Sequence, residues 1–437
     1  MIRRTFLANS VAALACSIAL PAQAMAAPDT NAVIVAWYRL VLELVRHTPT
    51  YSPPVASRAL AYLGITAFEA AASGSSNLVS LAGQLNGFER VPDRQGNAVH
   101  AEAAVMHAAL SHACTSLFAN TGPTGQRAMA AHAKKLDAAI SVSLPADVAQ
   151  RSAAHGQAVA AHVLAWSDGD GGAKIDNLGF PAEYALIDGA AHWVPTNLQN
   201  LQQTPLLPGW GKNRAFAMPA GDSCGLPPPP AYSEKIDSAF YREAEEVVRV
   251  RRGLNAEQEA IARFWSDDAM ASPTPPGHWI SIALQCLSRE GAGHERSAEV
   301  LALLGIALAD AFIGCWQAKY EHDLLRPVTY IRRIIDPSFE PLLVTPPFPE
   351  YPSGHSTQSA AAAAMMTRLF GENFAFEDDT HARDGLPARR FGSFWQAAEE
   401  AGISRLYGGI HFRAAIERGM DQGRCIAAHA MALRSRR

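Results

Sequence analysis

The sequence predicts an all-α protein made of helical bundles, with two halves resembling four-helix bundles and a long irregular stretch between them. Apolar residues recur at three- and four-residue spacing along most of the 437 residues. Neither the alternating pattern of a half-buried strand nor a strand–helix–strand rhythm is found. Hydrophobic residues make up 49% of the chain and charged residues 18%, which is enough apolar material for a large core.

Helical periodicity covers five segments before residue 172. These predicted helices are 31–47, 55–72, 98–117, 125–142 and 145–166. The periodicity then stops in 173–231, which is rich in Pro and Gly and also contains Trp193 and Trp210. A long segment with large aromatic residues predicts an ordered irregular excursion across the helices, with a linker as the alternative.

Helical periodicity resumes after residue 231. The predicted helices are 233–251, 255–268, 279–289, 297–325, 391–405 and 412–433. We therefore divide the chain into an N-terminal helical region (28–172), the irregular segment (173–231) and a C-terminal helical region (232–437). The candidate site described below lies in the C-terminal region.

Residues 1–27 have the composition of an export signal. Arg3 and Arg4 precede a short apolar run, and Ala-x-Ala sequences at 22–24 and 24–26 suit cleavage. The run is too short to span a bilayer. We expect a periplasmic or secreted mature protein without membrane insertion, exported by the twin-arginine route or by the ordinary secretory one.

Charge and cysteine usage narrow the class of protein further. The net charge is −4 and the short basic tail at 434–437 is interpreted as solvated, so nothing indicates nucleic-acid binding. Five widely spaced cysteines remain after the signal: Cys114, Cys224, Cys286, Cys315 and Cys425. Their spacing indicates neither a disulfide framework nor a zinc site, and leaves one or two bridges open.

The stretch 345–357, TPPFPEYPSGHST, is the centre of the candidate site. Its four prolines remove backbone donors and fix φ, so it cannot be a helix or a central strand. The alanine-rich run after it predicts a helix. A stiff loop thus delivers Ser353, Gly354 and His355 to a helix N-terminus, where free N–H groups favour an anion. The alternative is a Pro-rich turn with a chance Ser and His.

Lys319 and Arg326 are the second element of the candidate site. They are seven residues apart, which on one helix places both cations on one face, and Pro327 would end or kink that helix. The alternative is a solvated face. The preceding turns are apolar nearly all round, however, and buried cations need an anion.

The third element is the pair Arg405 and His411. Gly408 and Gly409 lie between them and are expected to break the helix, so that the two side chains converge. Taken alone, either residue is typical of a helix cap. Three cationic segments together with a helix N-terminus predict a site for a tetrahedral oxyanion.

Lys-x6-Arg-Pro, Pro-Ser-Gly-His and Ser-Arg-x5-His, in this order, resemble the three signature segments of one superfamily. It comprises the vanadium-dependent haloperoxidases and the acid phosphatases related to type-2 phosphatidic-acid phosphatases. FPEYPSGHS and Trp316, three residues before Lys319, resemble the haloperoxidase branch. The resemblance implies a vanadium-dependent oxidoreductase of the peroxidase class with a vanadate cofactor. It also implies hydrogen peroxide and halide as small-molecule substrates, and a homo-oligomer.

The resemblance also implies a role for each matching residue. His411 would coordinate vanadium, and His355 would be the acid–base group. The equatorial vanadate oxygens would be held by Lys319, Arg326, Arg405, the Ser353 hydroxyl and the Gly354 N–H. Asp268 would pair with Arg405, with Asp267 as the neighbouring alignment.

Trp316 and Phe348 would lie around these residues. Phe348 occupies a position where family members have Phe or His, which is associated with halide preference, and Phe leans towards chloride.

Ala415 departs from the superfamily pattern, which usually has Asp four residues after the histidine at 411. Losing such an orienting carboxylate typically weakens a metal site by roughly ten- to a hundredfold. Glu417 or a backbone carbonyl is the substitute that the sequence suggests. Three interpretations therefore stay open: a haloperoxidase, a secreted acid phosphatase with a phosphohistidine at His411, and a non-catalytic oxyanion-binding protein.

Overall fold

The computed structural model describes residues 29–196 and 204–437, so the predicted export signal lies outside the described residues. Within these ranges are thirteen α-helices and one two-stranded antiparallel sheet, which confirms the all-α prediction. The first five helices are α1 (Thr30–Arg46), α2 (Pro53–Ala72), α3 (Glu102–Leu117), α4 (Gly122–Ser141) and α5 (Ala146–Asp168). The next five are α6 (Ala239–Arg252), α7 (Ala256–Phe264), α8 (Thr274–Glu290), α9 (His294–His322) and α10 (Pro327–Ile334). The remaining elements are α11 (Gly354–Phe370), β1 (Phe376–Asp378), β2 (Arg389–Phe391), α12 (Phe394–Tyr407) and α13 (Arg413–Met431).

Helix α9 lies at the centre of the fold because it is apolar nearly all round and is buried on every side. It contacts α2 backbone to backbone. A Cβ atom added to Gly64 would lie 2.7 Å from the Leu301 carbonyl oxygen, so only glycine fits there. One continuous hydrophobic core joins the N-terminal and C-terminal helices. The two predicted halves are therefore packed against each other.

Helix α9 is also, among the described residues, the single helix long and apolar enough to cross a membrane. Its apolar window is wholly buried inside the structure.

The predicted helix 297–325 ends earlier than expected, at His322. Asp323 adopts a left-handed conformation with φ 41°. Pro327 disfavours helical geometry for Arg326 and begins α10 as its first residue. The prediction that Lys319 and Arg326 share one helix face is therefore wrong. Lys319 lies in the last turn of α9, and Arg326 lies just before α10, after the helix has ended.

The irregular segment lies between α5 and α6 and, in its described parts, packs across the helices as predicted. The N–H of Trp193 donates to the Asp323 carbonyl oxygen at 2.8 Å. The buried carboxylate of Asp310 on α9 accepts the N–H groups of residues 216–218 at 2.6 to 2.9 Å. A segment without helical hydrogen bonds thus satisfies its amides with a side chain from the core helix.

One disulfide, between Cys224 and Cys425, ties the irregular segment to α13. Cys114, Cys286 and Cys315 are buried free thiols within the described chain. The sequence left one or two bridges open, and the structure has one.

Candidate oxyanion site

The N-terminus of α11 forms one wall of the site. Ser353 caps the helix, and its Oγ accepts the N–H of Ser356 at 3.3 Å. Gly354 is the first helical residue, so its N–H has no carbonyl partner within the helix. The N–H of Ser353 donates to the Ala415 carbonyl oxygen at 3.0 Å and fixes the loop to α13. The loop therefore arrives at the pocket already tied to the helix that follows His411.

Lys319 lies behind this loop and is fully buried. Its ammonium group donates to the carbonyl oxygens of Pro349, Glu350 and Pro352, at 2.8, 3.0 and 2.5 Å. Burial lowers its pKa to about 7, and the nearby Arg326 acts in the same direction. Because an ammonium has three donors, Lys319 holds the loop with all of them and contributes charge to the pocket.

Arg326 reaches the same loop from the connection between α9 and α10. Its Nε donates to the Phe348 carbonyl oxygen at 2.9 Å, and its Nη1 donates to the Ile410 carbonyl oxygen at 3.0 Å. Nη2 is buried and has no hydrogen-bond partner. Burial lowers the pKa of this guanidinium to about 10. A buried N–H without an acceptor is unfavourable until an anion supplies one.

His411 lies beside this guanidinium. Arg326 Nη1 donates to His411 Nε2 at 3.1 Å, and arginine has no acceptor, so Nε2 carries a lone pair and Nδ1 the proton. The Nδ1–H donates to Glu350 Oε1 at 2.8 Å. Burial, followed by Arg326 and Lys319, holds the pKa of His411 well below its usual value. His411 is thus neutral, with Nε2 able to bind a metal.

Glu350 was missed by the sequence reasoning. It is fully buried, whereas Glu417, the substitute that the sequence suggested, is exposed. Glu350 belongs to the loop rather than to the helix after His411. The superfamily pattern places the orienting carboxylate after the histidine, and Glu350 precedes it. A carboxylate within a proline-rich, apolar loop is the feature of the sequence that could have identified it.

Asp267, rather than Asp268, is the buried carboxylate near Arg405. Asp267 has φ 49° and turns into the core, while Asp268 is exposed. Within the described chain, no nitrogen of Arg405 lies within 4.0 Å of a carboxylate oxygen of Asp268, so the predicted salt bridge is absent. Arg405 Nη2 donates instead to the Trp265 carbonyl oxygen at 2.7 Å. Burial lowers the pKa of Arg405 to about 10, against the effect of Asp267 and, after it, Asp268.

His355, on the first turn of α11, completes the polar lining. Its side chain is 17% exposed, and its Nε2 lies 3.8 Å from Asp267 Oδ2 without a hydrogen-bond partner. Burial and, after it, Arg405 hold its pKa well below the usual value. The imidazole is therefore neutral and free to accept a proton.

Trp316 and Phe348 form an apolar wall. Their ring centroids are 4.9 Å apart, and Trp316 Nε1 donates to the Leu206 carbonyl oxygen of the irregular segment at 3.1 Å. Lys319 Nζ lies 5.1 Å and Arg326 Cζ 5.0 Å from the Phe348 ring centroid. The phenyl face therefore stabilises both cations in the absence of an anion.

A second buried group of charged side chains adjoins this pocket. His278 Nδ1 lies 2.9 Å from Asp267 Oδ1, and His278 Nε2 lies 2.8 Å from Asp378 Oδ2. His381 Nε2 lies 3.3 Å from Asp267 Oδ1. Burial alone would lower the pKa of His278, but the two aspartates raise it to about 10. We call these four residues the Asp–His cluster; the sequence analysis identified Asp267 alone.

The fold and pocket define a helical protein with a buried, cationic, histidine-containing pocket, which is the candidate oxyanion site. Residues 299–437 match the family model for the second helical-bundle domain of vanadium chloroperoxidases. The structure superposes on a bacterial vanadium-dependent iodoperoxidase with a TM-score of 0.84 and 37% identity, covering 92% of this chain and 96% of that one. It therefore belongs to the vanadium-dependent haloperoxidase family.

Two further relatives are more distant. The vanadium chloroperoxidase of Curvularia inaequalis is 25% identical over 255 residues, which are 43% of this chain and 42% of that protein. A bacterial vanadium-dependent chloroperoxidase in its holo form shares the fold, with a TM-score of 0.68 at 17% identity, covering 88% of this chain and 92% of that one.

Proposed function

We propose that this protein is a vanadate-dependent haloperoxidase, which oxidises halide with hydrogen peroxide to hypohalous acid. The observation that carries the proposal is the pairing of His411 Nε2, whose lone pair faces the Arg326 guanidinium, and a buried N–H of that guanidinium that lacks an acceptor. A phosphate-like metal oxyanion needs both a ligand nitrogen and charge-assisted donors. The 37% identical iodoperoxidase supports the same reaction class.

The residues present fit vanadate. His411 would bind it through Nε2, Arg326 and Arg405 would supply charged donors, and Ser353 and Gly354 would supply a hydroxyl and an N–H. Lys319 would add charge from behind the loop. When bound, vanadate supplies a Lewis acid that makes hydrogen peroxide electrophilic towards halide.

His355 is the residue suited to carry protons in this reaction. Forming hypohalous acid and water from hydrogen peroxide and halide consumes one proton. The buried, unpartnered Nε2 of His355 can accept a proton at the pocket, and the His355 side chain as a whole is 17% exposed. Asp267, at 3.8 Å, stabilises the imidazolium while the proton is held.

Iodide is the substrate to test first. It is the halide most easily oxidised, and the 37% identical relative is an iodoperoxidase. Phe348 forms part of the wall near the cations. Because phenylalanine at this position leans towards chloride, we also expect the protein to oxidise chloride. We propose the order iodide, bromide, chloride for decreasing rate.

The test uses protein stripped with chelator and resupplied with orthovanadate, with hydrogen peroxide and each halide in turn. Triiodide formation reports oxidation of iodide, and halogenation of a phenolic dye reports oxidation of bromide or chloride. We expect vanadate-dependent oxidation of iodide that is lost in His411→Ala. The matched control is His429→Ala, which removes a histidine from α13 outside the pocket. Oxidation that is independent of vanadate, or retained in His411→Ala, would contradict the proposal.

A second candidate is an acid phosphatase that uses the same pocket. The Glu350–His411 contact favours it, because a phosphohistidine also needs an oriented, basic imidazole. Hydrolysis of p-nitrophenyl phosphate without vanadate would reveal it, and vanadate would inhibit it. Phosphatase activity with no halide oxidation would replace the first proposal by the second; binding of vanadate with neither activity would indicate a non-catalytic relative.

Export is proposed from residues 1–27 alone. We expect the protein in the periplasmic or secreted fraction, and Arg3→Lys together with Arg4→Lys to retain it in the cytoplasm if the route is twin-arginine. Assembly into a homo-oligomer stays a prediction that size-exclusion chromatography with light scattering would test.

A further inference from the structure

We propose that Glu350 is the positioning residue that keeps His411 in its metal-binding tautomer, in place of the carboxylate missing at Ala415. The inference rests on the proposed function and assigns to this chain its own solution to orienting the vanadium ligand. The carboxylate is moved from the helix after the histidine to the loop before the helix α11.

The contacts of Glu350 define that role. Its Oε1 accepts the Nδ1–H of His411 at 2.8 Å and the N–H of Phe412 at 2.9 Å. One oxygen therefore holds both the imidazole and the backbone next to it. With Nδ1–H committed to this acceptor, the lone pair on Nε2 must face the pocket.

The backbone of Glu350 is fixed on both sides, which makes the carboxylate a rigid support. Its N–H donates to the Leu324 carbonyl oxygen at 2.9 Å, and its carbonyl oxygen accepts from Lys319 Nζ at 3.0 Å. The residue is fully buried. A side chain held in this way orients its partner without a large loss of conformational entropy.

Ala415 and Glu350 line the same small cavity. Phe412, Ala414 and Glu243 complete that part of its lining. Ala415 lies on the first turn of α13, one turn beyond His411. A larger side chain at 415 would enter the cavity that Glu350 also lines, so alanine at 415 leaves room there for the glutamate of the loop.

Glu243 provides a matched control because it lines this cavity without contacting His411. Its Oε2 accepts the Ala414 N–H at 3.0 Å. Replacing it removes a carboxylate from the same cavity and leaves the Glu350–His411 hydrogen bond intact.

The first measurement is the tautomer of His411 in vanadate-free protein, from ¹⁵N NMR after selective labelling of the 15 histidines. The His411 signals are those absent from His411→Gln. We expect a protonated Nδ1 and an unprotonated Nε2 in the native protein and in Glu243→Ala. In Glu350→Ala the contact of Arg326 with Nε2 remains, so we expect this preference to weaken, and in the double variant Glu350→Ala/Ala415→Asp to return to the native level.

The second measurement is orthovanadate affinity by calorimetry, in which we expect roughly a 10- to 100-fold weakening in Glu350→Ala. Recovery in the double variant separates positioning from loss of folding, and Glu350→Met, which fills the space without supplying an oxygen acceptor, serves if Glu350→Ala does not fold. An unchanged His411 tautomer and unchanged affinity in the Glu350 variants would overturn the inference. A Glu350-dependent tautomer in a protein without halide oxidation would support the positioning role and reject the proposed activity.

Discussion

The oxyanion pocket and the Asp–His cluster are both buried and charged, yet they balance their charges differently. The pocket gathers the cations of Lys319, Arg326 and Arg405 around one carboxylate, Glu350, and leaves a guanidinium N–H without an acceptor. In the cluster, both ring nitrogens of His278 contact carboxylates. The pocket has an excess of positive charge, whereas the cluster has its own counterions.

We infer from this difference that the pocket is a candidate ligand site and that the cluster has a structural role. Asp267, His278 and His381 place potential ligand atoms within 4.8 Å of one another, a spacing that would suit a metal ion. The two N–H groups of a protonated His278 satisfy its contacts with Asp267 and Asp378, and these aspartates raise its pKa to about 10 against the effect of burial. The cluster therefore needs no ion to be stable, while the pocket cations need an anion.

The largest expected effect is in the pocket, in Arg326→Lys. Lysine keeps the charge but loses the buried Nη2 donor and the planar fork. We expect iodide oxidation to fall by roughly 10²- to 10³-fold, the usual effect of removing one oxyanion donor. Steady-state assays with saturating vanadate would measure it. Arg333→Lys, an exposed change on α10, should retain native activity, and equal losses in both variants would contradict the assignment.

A substitution in the Asp–His cluster is expected to lower the free energy of unfolding. His278→Gln removes the charge between Asp267 and Asp378, so two buried carboxylates lose their shared cation, although Asp267 keeps its contact with His381. We expect the free energy of unfolding to fall by about 3–5 kcal/mol. Urea unfolding of vanadate-free protein would measure this, with His112→Gln, an exposed histidine on α3, as the control. A loss within the range of that control would mean that the cluster is not a stabilising unit.

Adding orthovanadate should stabilise the protein through the pocket and not through the Asp–His cluster. Orthovanadate at about 100 times its dissociation constant should add about 2.7 kcal/mol to the stability of the native protein. The gain should be much smaller in Arg326→Lys at the same concentration. Dialysis against chelator before the measurement should leave the vanadate-free stability unchanged, since protons suffice for the cluster. A chelator-sensitive melting temperature would instead indicate a metal ion among Asp267, His278 and His381.

The sequence predicted those parts of the fold and pocket that depend on local geometry, and it missed those that depend on tertiary packing. The prolines around Ser353 and the alanine run after it define a loop and a helix by local geometry, so the α11 N-terminus was predictable. Glu350 was not, because its partner His411 is 61 residues away and only tertiary packing brings them together. The sequence favoured Asp268 and kept Asp267 as the alternative, because the left-handed backbone of Asp267, with φ 49°, decides which carboxylate turns inward and is not readable from the sequence.

The path of the chain between Lys319 and Arg326 shows the same limit. Their spacing fitted one helix face, but Asp323 and Pro327 break the helix between them. Both cations nevertheless reach the pocket, because loop carbonyls accept from each of them. The strands β1 and β2 have three residues each, too short for an alternating pattern to be recognised.

The smallest and most discriminating prediction concerns pH, because the two regions oppose each other. The pKa of His278 is raised to about 10 in the folded protein, so its stabilisation is complete below the unfolded value of 6.5 and is lost as pH rises through 10. The pKa of Lys319 is lowered to about 7, so its destabilisation is relieved as pH rises from 7 towards the unfolded value of 10.5. In vanadate-free native protein the two slopes largely cancel between pH 7 and 10.

Single substitutions should reveal each slope. Each group contributes about 1.4 kcal/mol per pH unit where its two states differ by one proton. Between pH 7.5 and 9, His278→Gln should therefore become more stable relative to the native protein as pH rises, and Lys319→Met less stable. Urea unfolding at three pH values would measure both trends. Parallel curves for all three proteins would contradict the charge assignment, because a balanced cluster must lose a proton on unfolding and an unbalanced pocket must gain one.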